Sequence, residues 1–206
     1  RLVDGHLAFQ SARFDAALEH CAQAESIFRD QCTGASWEIS TARAFQVWVC
    51  GFSGKFVQLA DCNNRYLQEA RSRSDLFTVT NLTSFARPLL RLAANDPDGA
   101  MKQVEEALSN WPYSGCHIQH YHAACSRTLI HLYRGEGEAA WNFIQQTWPA
   151  LRRSMLLRLQ FVRIWMRNLR GQCALARAAE ARNPERWLRH AEKDLKRLSS
   201  ERSPFA

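Results

Sequence analysis

Arg163, Arg167 and Arg170 stand at i, i+4 and i+7, with Arg152 eleven residues before the first and Arg177 seven after the last. At 3.6 residues per turn all five fall near one line of a helix. Guanidinium forks in such a row suit oxyanions: an acidic peptide, a phosphate or a nucleic-acid backbone. His120, Arg127, His131 and Arg134 make a similar line upstream, and Asn81, Ser84 and Arg91 a weaker one. The candidate groove or partner-binding residues are therefore Arg91, His120, Arg127, His131, Arg163, Arg167 and Arg170. The competing reading is a solvated helix face, or pairing of these cations with acids elsewhere in the chain.

Cys116, His117, His120 and His122 are the best candidate for a metal, because Cys116 and His120 at i, i+4 would share a helix face as paired zinc ligands do. No fourth ligand is suggested and His122 points elsewhere on the helix, so the expectation is no metal and no cofactor. Catalytic signatures are also missing. The sequence holds no phosphate-binding GxxxxGK[ST] loop, no HExxH, no GxSxG and no GxGxxG; Gly135-Glu136-Gly137 follows a helical pattern and lacks the third glycine. Glu38 beside Trp37 has no partner acid or base at usable spacing, and stabilising a first helical turn accounts for it better. The chain reads as non-enzymatic.

The elements that must position these residues announce themselves by repetition. Four junctions, Phe9–Ala17, Gly51–Leu59, Leu92–Ala100 and Leu132–Ala140, each run from apolar helix through a small or turn-forming step into small or apolar residues. Aligned on Ala17, Leu59, Ala100 and Ala140, they lie 42, 41 and 40 residues apart. Such a period belongs to stacked two-helix units. The expected fold is all-α, a superhelical stack of about five helical hairpins of the tetratricopeptide-like α-solenoid kind, forming one domain over 1–206. Hairpin bounds fall near 1–32, 36–72, 75–111, 116–150 and 151–200.

Local signals refine this. Ser36 is a plausible N-cap, Asp96-Pro97 places a capping residue before a proline at the first helical position, and Pro88 predicts a break near Arg87. Pro149 predicts a bend or restart, followed by the longest helix from Leu151 to Ala181. Asn183-Pro184-Glu185 caps the last helix, and Ser199–Ala206 reads as frayed. The tryptophans sit at helical spacing and read as core. If the first helix of each unit lines the inside of the stack, the basic lines converge into a concave groove.

Composition fits a folded helical body: 206 residues, 46% hydrophobic and 23% charged, without an apolar run near the roughly 18 residues that cross a bilayer. No membrane association is expected. Seven cysteines are scattered without a CxxC pair, as in reduced thiols of a cytoplasmic protein. The chain opens on Arg1 without Met or an apolar leader, which suggests a fragment of something longer. Residues 1–150 carry 13 Lys and Arg against 15 Asp and Glu, whereas 151–206 carry 14 against 5. The slightly acidic majority and the absence of a recognised motif count against nucleic acid.

The stretch Arg29-Asp30-Gln31-Cys32-Thr33-Gly34-Ala35-Ser36-Trp37-Glu38-Ile39-Ser40-Thr41-Ala42-Arg43 resembles the C-terminal helical-repeat region of large bacterial eukaryotic-like serine/threonine protein kinases, in which a kinase domain is joined to an AAA/STAND-type ATPase module and then to tetratricopeptide-like repeats. Ser74–Leu82, Asn95–Ala100, Gln119–Tyr121, Leu132–Gly135 and Trp148–Ser154 support it, and the resemblance covers roughly 5–170. These are packing motifs, so no functional residue carries over. The period of about 40 exceeds the usual 34 residues, and the kinase Lys and Asp residues have no counterpart. The resemblance implies a regulatory or protein-interaction scaffold whose partners are a protein or peptide, an acidic one among the candidates, and the adjacent kinase and ATPase domains. Sensing of an anion or nucleic acid through the basic groove is the alternative.

Overall fold

A computed structural model describes residues 1–205 of the chain. These form helices and, among the described residues, no strand. In chain order the α-helices are α1 Leu2–Gln10, α2 Phe14–Gln31, α3 Ser36–Phe52, α4 Phe56–Ser72, α5 Leu76–Ser84, α6 Ala86–Ala93, α7 Pro97–Ser109, α8 Ile118–Tyr133, α9 Gly137–Arg153, α10 Gln160–Glu180 and α11 Glu185–Ser199, with a short 3-10 turn at Leu156–Arg158 before α10.

The four repeated junctions have one backbone mechanism. Ala12, Gly54, Asn95 and Gly135 all adopt left-handed φ, between 54° and 71°, and their spacing is the 42, 41 and 40 of the sequence repeat. After each, an amide reaches back five residues to a helical carbonyl: Arg13 to Ala8, Lys55 to Cys50, Asp96 to Arg91 and Glu136 to His131, at 2.8 to 2.9 Å. This is a Schellman ending, which satisfies carbonyls that the terminating helix leaves free and turns the chain at once into the next helix. Ser74, at φ 55°, does the same between α4 and α5, where Asp75 donates its amide to Ala70.

The positions aligned by the repeat, Ala17, Leu59, Ala100 and Ala140, are all fully buried. The alanines at three of them let the second helix lie close to its predecessor, and Leu59 fills the core at the fourth. Each helix packs on the next in the chain, and α1, α3, α5, α8 and α10 also touch in succession. Buried clusters follow the same order and share helices: Phe9, Ala17 and Val49 first, then Cys50, Leu59 and Tyr66, then Val104 and Ile130, then Ile144, Met166 and Leu169.

Several local expectations need correction. Ala35, not Ser36, occupies the N-cap of α3, and no side chain caps it. The break expected near Arg87 lies at Phe85, which places Pro88 in the first turn of α6, where its missing N–H costs nothing. Pro149 stays inside α9, and the chain turns instead at Met155, whose φ is 65°. The longest helix therefore starts at Gln160, and Arg152 and Arg163 belong to different helices. The tail is not frayed through 205: Phe205 packs on Phe9, Phe14, Phe52 and Phe161 at centroid distances of 5.3 to 6.3 Å, while Ala206 lies outside the described residues. Trp37, 62% exposed, departs from the core role read for the tryptophans.

Asp96 behaves as its sequence suggests, its carboxylate accepting from the Gly99 amide at 2.9 Å ahead of Pro97.

Candidate anion-binding site

The basic lines do not meet in one groove. Arg91 pairs with Asp96 and donates to Gln103 at 3.1 Å. Arg127 donates to Glu105 at 3.3 Å, and His131 Nδ1 lies 2.6 Å from Glu136. His120 turns back on its own helix start, where its Nδ1 accepts the His117 amide at 3.1 Å; burial and the neighbouring His117 lower its pKa. His120, Arg127 and Cys116 do share a wide cavity of about 610 Å3 with Arg153. His122 is buried away from it. No group of three or more metal-ligating side chains occurs among the described residues.

The surface where α1, α3 and α10 meet is aromatic instead of basic. Phe9 lies 4.9 Å from Phe161 and 5.8 Å from Phe52, which in turn meets Trp165 edge-on at 4.7 Å.

The row on α10 faces α11 and the tail. Arg163 and Arg167 converge on Glu201, whose side chain is only 8% exposed. Arg170 makes a two-pronged contact with the buried Asp194, with Nε at 2.7 Å, and its guanidinium carbon stands 3.7 Å from the centre of the Trp148 ring. Arg177 reaches Glu138 and Glu180. Pairing with acids elsewhere thus accounts for much of this row.

It does not account for all the charge. Beside Glu201, a cavity of about 470 Å3 is lined by Arg152, Arg158, Arg163, Arg167 and Arg197, with Trp148, Met155 and Leu157. Arg152, Arg158 and Arg197 are exposed and have no acidic partner among the described residues. Five arginines therefore line the cavity, and only Arg163 and Arg167 among them are paired with Glu201. Arg167 feels its neighbours: burial lowers its pKa, and Arg197 and Arg163 lower it further against the pull of Glu201 and Asp194. Its Nε–H is buried without a partner. Conversely, the hydrogen bonds from Arg163 hold the Glu201 carboxyl below its ordinary range.

Three helices build this site. The last turn of α9 brings Arg152, the left-handed Met155 and the 3-10 turn swing Arg158 across, and α11 folds back along α10 to deliver Arg197. Sequence reasoning missed Arg158 and Arg197. A helix continuous through 151–181 puts Arg158 off the basic line, and nothing in the α11 sequence states which side of α10 it covers.

The arrangement can hold an oxyanion without a metal. Glu201 already shows the coordination, a planar oxyanion held by parallel N–H donors, and the uncommitted guanidiniums extend it. Compared with protein-family models, with curated proteins and with solved structures, the chain matches none, so its resemblance to the repeat region of bacterial kinases rests on its own residues.

Proposed function

We propose that the chain is a non-catalytic interaction module, a stack of five helical hairpins of tetratricopeptide-like kind, that receives a phosphorylated or acidic segment of a protein partner in the arginine pocket between α9, α10 and α11. The observation that carries this reading is a cavity lined by five arginines, three of them without an acid of their own. Uncompensated like charge at one place is costly unless an anion relieves it. The stack is supported by the four Schellman junctions at a constant period and by helices that touch in chain order.

A peptide suits the pocket better than a nucleic acid. A nucleic-acid strand needs a track of cations spaced along its phosphates, and residues 1–150 carry more acids than bases. The rim offers Met155, 54% exposed, as an apolar foothold for a side chain flanking the anion. The setting consistent with seven unbridged cysteines is a reducing cytoplasm, and the parent suggested by the resemblance is a bacterial signalling kinase with an attached ATPase.

Calorimetric titration tests this with a phosphoserine peptide, its serine counterpart and inorganic phosphate. The phosphopeptide should bind, its serine counterpart should bind at least tenfold more weakly, and Arg152→Ala/Arg158→Ala/Arg197→Ala should lose the difference at an unchanged melting temperature. Equal affinity for both peptides would contradict the reading. Inorganic phosphate binding as tightly as the phosphopeptide would favour anion sensing over partner recognition.

A further inference from the structure

A second cavity, unrelated to the arginines, lies where the first helices of successive hairpins meet. Its volume is about 280 Å3, and its wall is largely aromatic: Phe45, Trp48, Phe52, Phe85 and Phe161 surround it, with His122 at the side. No ionisable carboxylate, lysine or arginine lines it. Gln10, Leu159 and Gln160 at its edge are exposed, so it opens to solvent, whereas Phe9 and Cys125 deeper in are buried.

His122 is the informative member. It is 2% exposed, its ring meets Trp48 at 5.4 Å and Phe85 at 5.6 Å, and its Nδ1 has no hydrogen-bond partner. Burial pulls its pKa down to about 3, so the imidazole is neutral, and in its Nε2–H tautomer Nδ1 is a bare nitrogen able to accept. Buried polar atoms in folded proteins nearly always find partners, and an orphan beside an open cavity is completed by what enters it.

We propose that this cavity binds a small, uncharged, flat aromatic molecule of two fused rings carrying one N–H that it donates to His122. Size sets the ring number: a cavity of about 150 Å3 lined by apolar side chains admits benzene, and this one is nearly twice as large. The wall sets the rest. Stacked and edge-on aromatic faces reward a flat π-system, the uncharged lining rejects an ionised one, and the imidazole selects for a donor. Quaternary ammonium ions such as choline would use the aromatic faces but, having no N–H, would leave Nδ1 unsatisfied.

Titrating the 206-residue chain with indole, and with benzothiophene as a matched bicycle lacking the N–H, examines each part. Indole should bind saturably, about tenfold tighter than benzothiophene. His122→Leu should bring indole down to the benzothiophene value. Ile118→Phe, which fills the cavity from α8 and leaves His122 in place, should remove both ligands, and it carries the test if the His122 variant does not fold. Absence of saturable binding by a folded chain, equal affinity for the two bicycles, or tighter binding of choline than of indole would overturn the proposal.

Discussion

Arg163 grips Glu201 with two parallel hydrogen bonds, Nε to Oε1 at 2.6 Å and Nη2 to Oε2 at 2.7 Å, and Arg167 shares the same Oε1 at 2.9 Å. A carboxylate supplied by the tail thus occupies part of a site that three further arginines leave positively charged. Replacing it should expose that charge. Glu201→Ala is expected to raise affinity for phosphopeptide about tenfold by releasing two guanidiniums, while lowering stability by about 1–3 kcal/mol as their partner is lost. Calorimetry and thermal melts of one variant read both, and weaker peptide binding would mean that Glu201 organises the pocket instead of competing for it.

Glu25 anchors a second polar cluster, buried between α2, α3 and α4. It accepts from Arg43 at 2.8 Å, from Gln46 at 2.9 Å and from the Tyr66 hydroxyl at 3.1 Å, and Arg43 also reaches Glu69 at 2.7 Å. Burial works to raise the Glu25 pKa, but these hydrogen bonds and the Arg43 charge outweigh it and the carboxyl ends below its ordinary value. A depressed folded pKa gives stability that is present above the unfolded value near 4.3 and disappears as pH falls through the folded one. Glu25→Ala should therefore cost about 1–3 kcal/mol at neutral pH, by taking one of the two carboxylates from Arg43 and the acceptor from the Gln46 amide, with the gap to the unaltered chain closing in acid. Denaturant melts at pH 7 and pH 3 measure it; a gap independent of pH would assign the loss to packing.

Ala12 holds a left-handed conformation that Gly54, Gly135 and Asn95 hold at the equivalent turns. A β-carbon there costs roughly 1–2 kcal/mol, partly offset in glycine by its freer unfolded chain. Ala12→Gly should stabilise by about 0.5 kcal/mol, seen as a rise in melting temperature. Gly137 is the opposite case. An added Cβ would meet the Ala176 carbonyl carbon and Glu180 Oε1 at 2.7 Å, and Glu180 also caps the start of α9 by accepting from the Gly137 amide at 2.5 Å and the Glu138 amide at 2.9 Å. Gly137→Ala should cost about 1–3 kcal/mol; a neutral outcome would show that α10 can retreat from α9.

Much of the fold was legible because it is carried by local chemistry. The left-handed turn residue and the buried residue five positions on leave a mark within a few residues that recurs four times, and the capping Asp96 adds one at the third junction. Pro149 was misleading for the same reason: its effect depends on whether the turn before it can yield, which neighbouring residues do not state. The candidate site was only half legible. Arg163 and Arg167 stood out by spacing, but Glu201 pairs with them across 38 and 34 residues, and Arg197 arrives on another helix. Long-range partners leave no spacing to read. The aromatic cluster was hidden likewise, since Phe9, Phe52 and Phe161 each satisfy the core pattern of their own helix and only the packing of α1 near α10 brings them together.

Gln119 is fully buried on α8, and neither its amide oxygen nor its nitrogen has a partner. Such a group costs about 1–3 kcal/mol, and an apolar residue of similar shape avoids that cost. Gln119→Met should raise the midpoint of urea unfolding without changing its slope. A fall in the midpoint would reveal a bound water or ligand completing the amide.

Arginine side-chain NMR tests the central claim most directly, by following the Nε–Hε signals as phosphopeptide is added. The expected result is saturable shifts at Arg152, Arg158, Arg167 and Arg197, with the unpartnered Arg167 Nε–H moving downfield as it gains an acceptor, while Arg43 between α2 and α4 stays still. Binding that moves none of these four, or shifts distributed evenly over all the exposed arginines, would contradict an arginine pocket built to receive an anion.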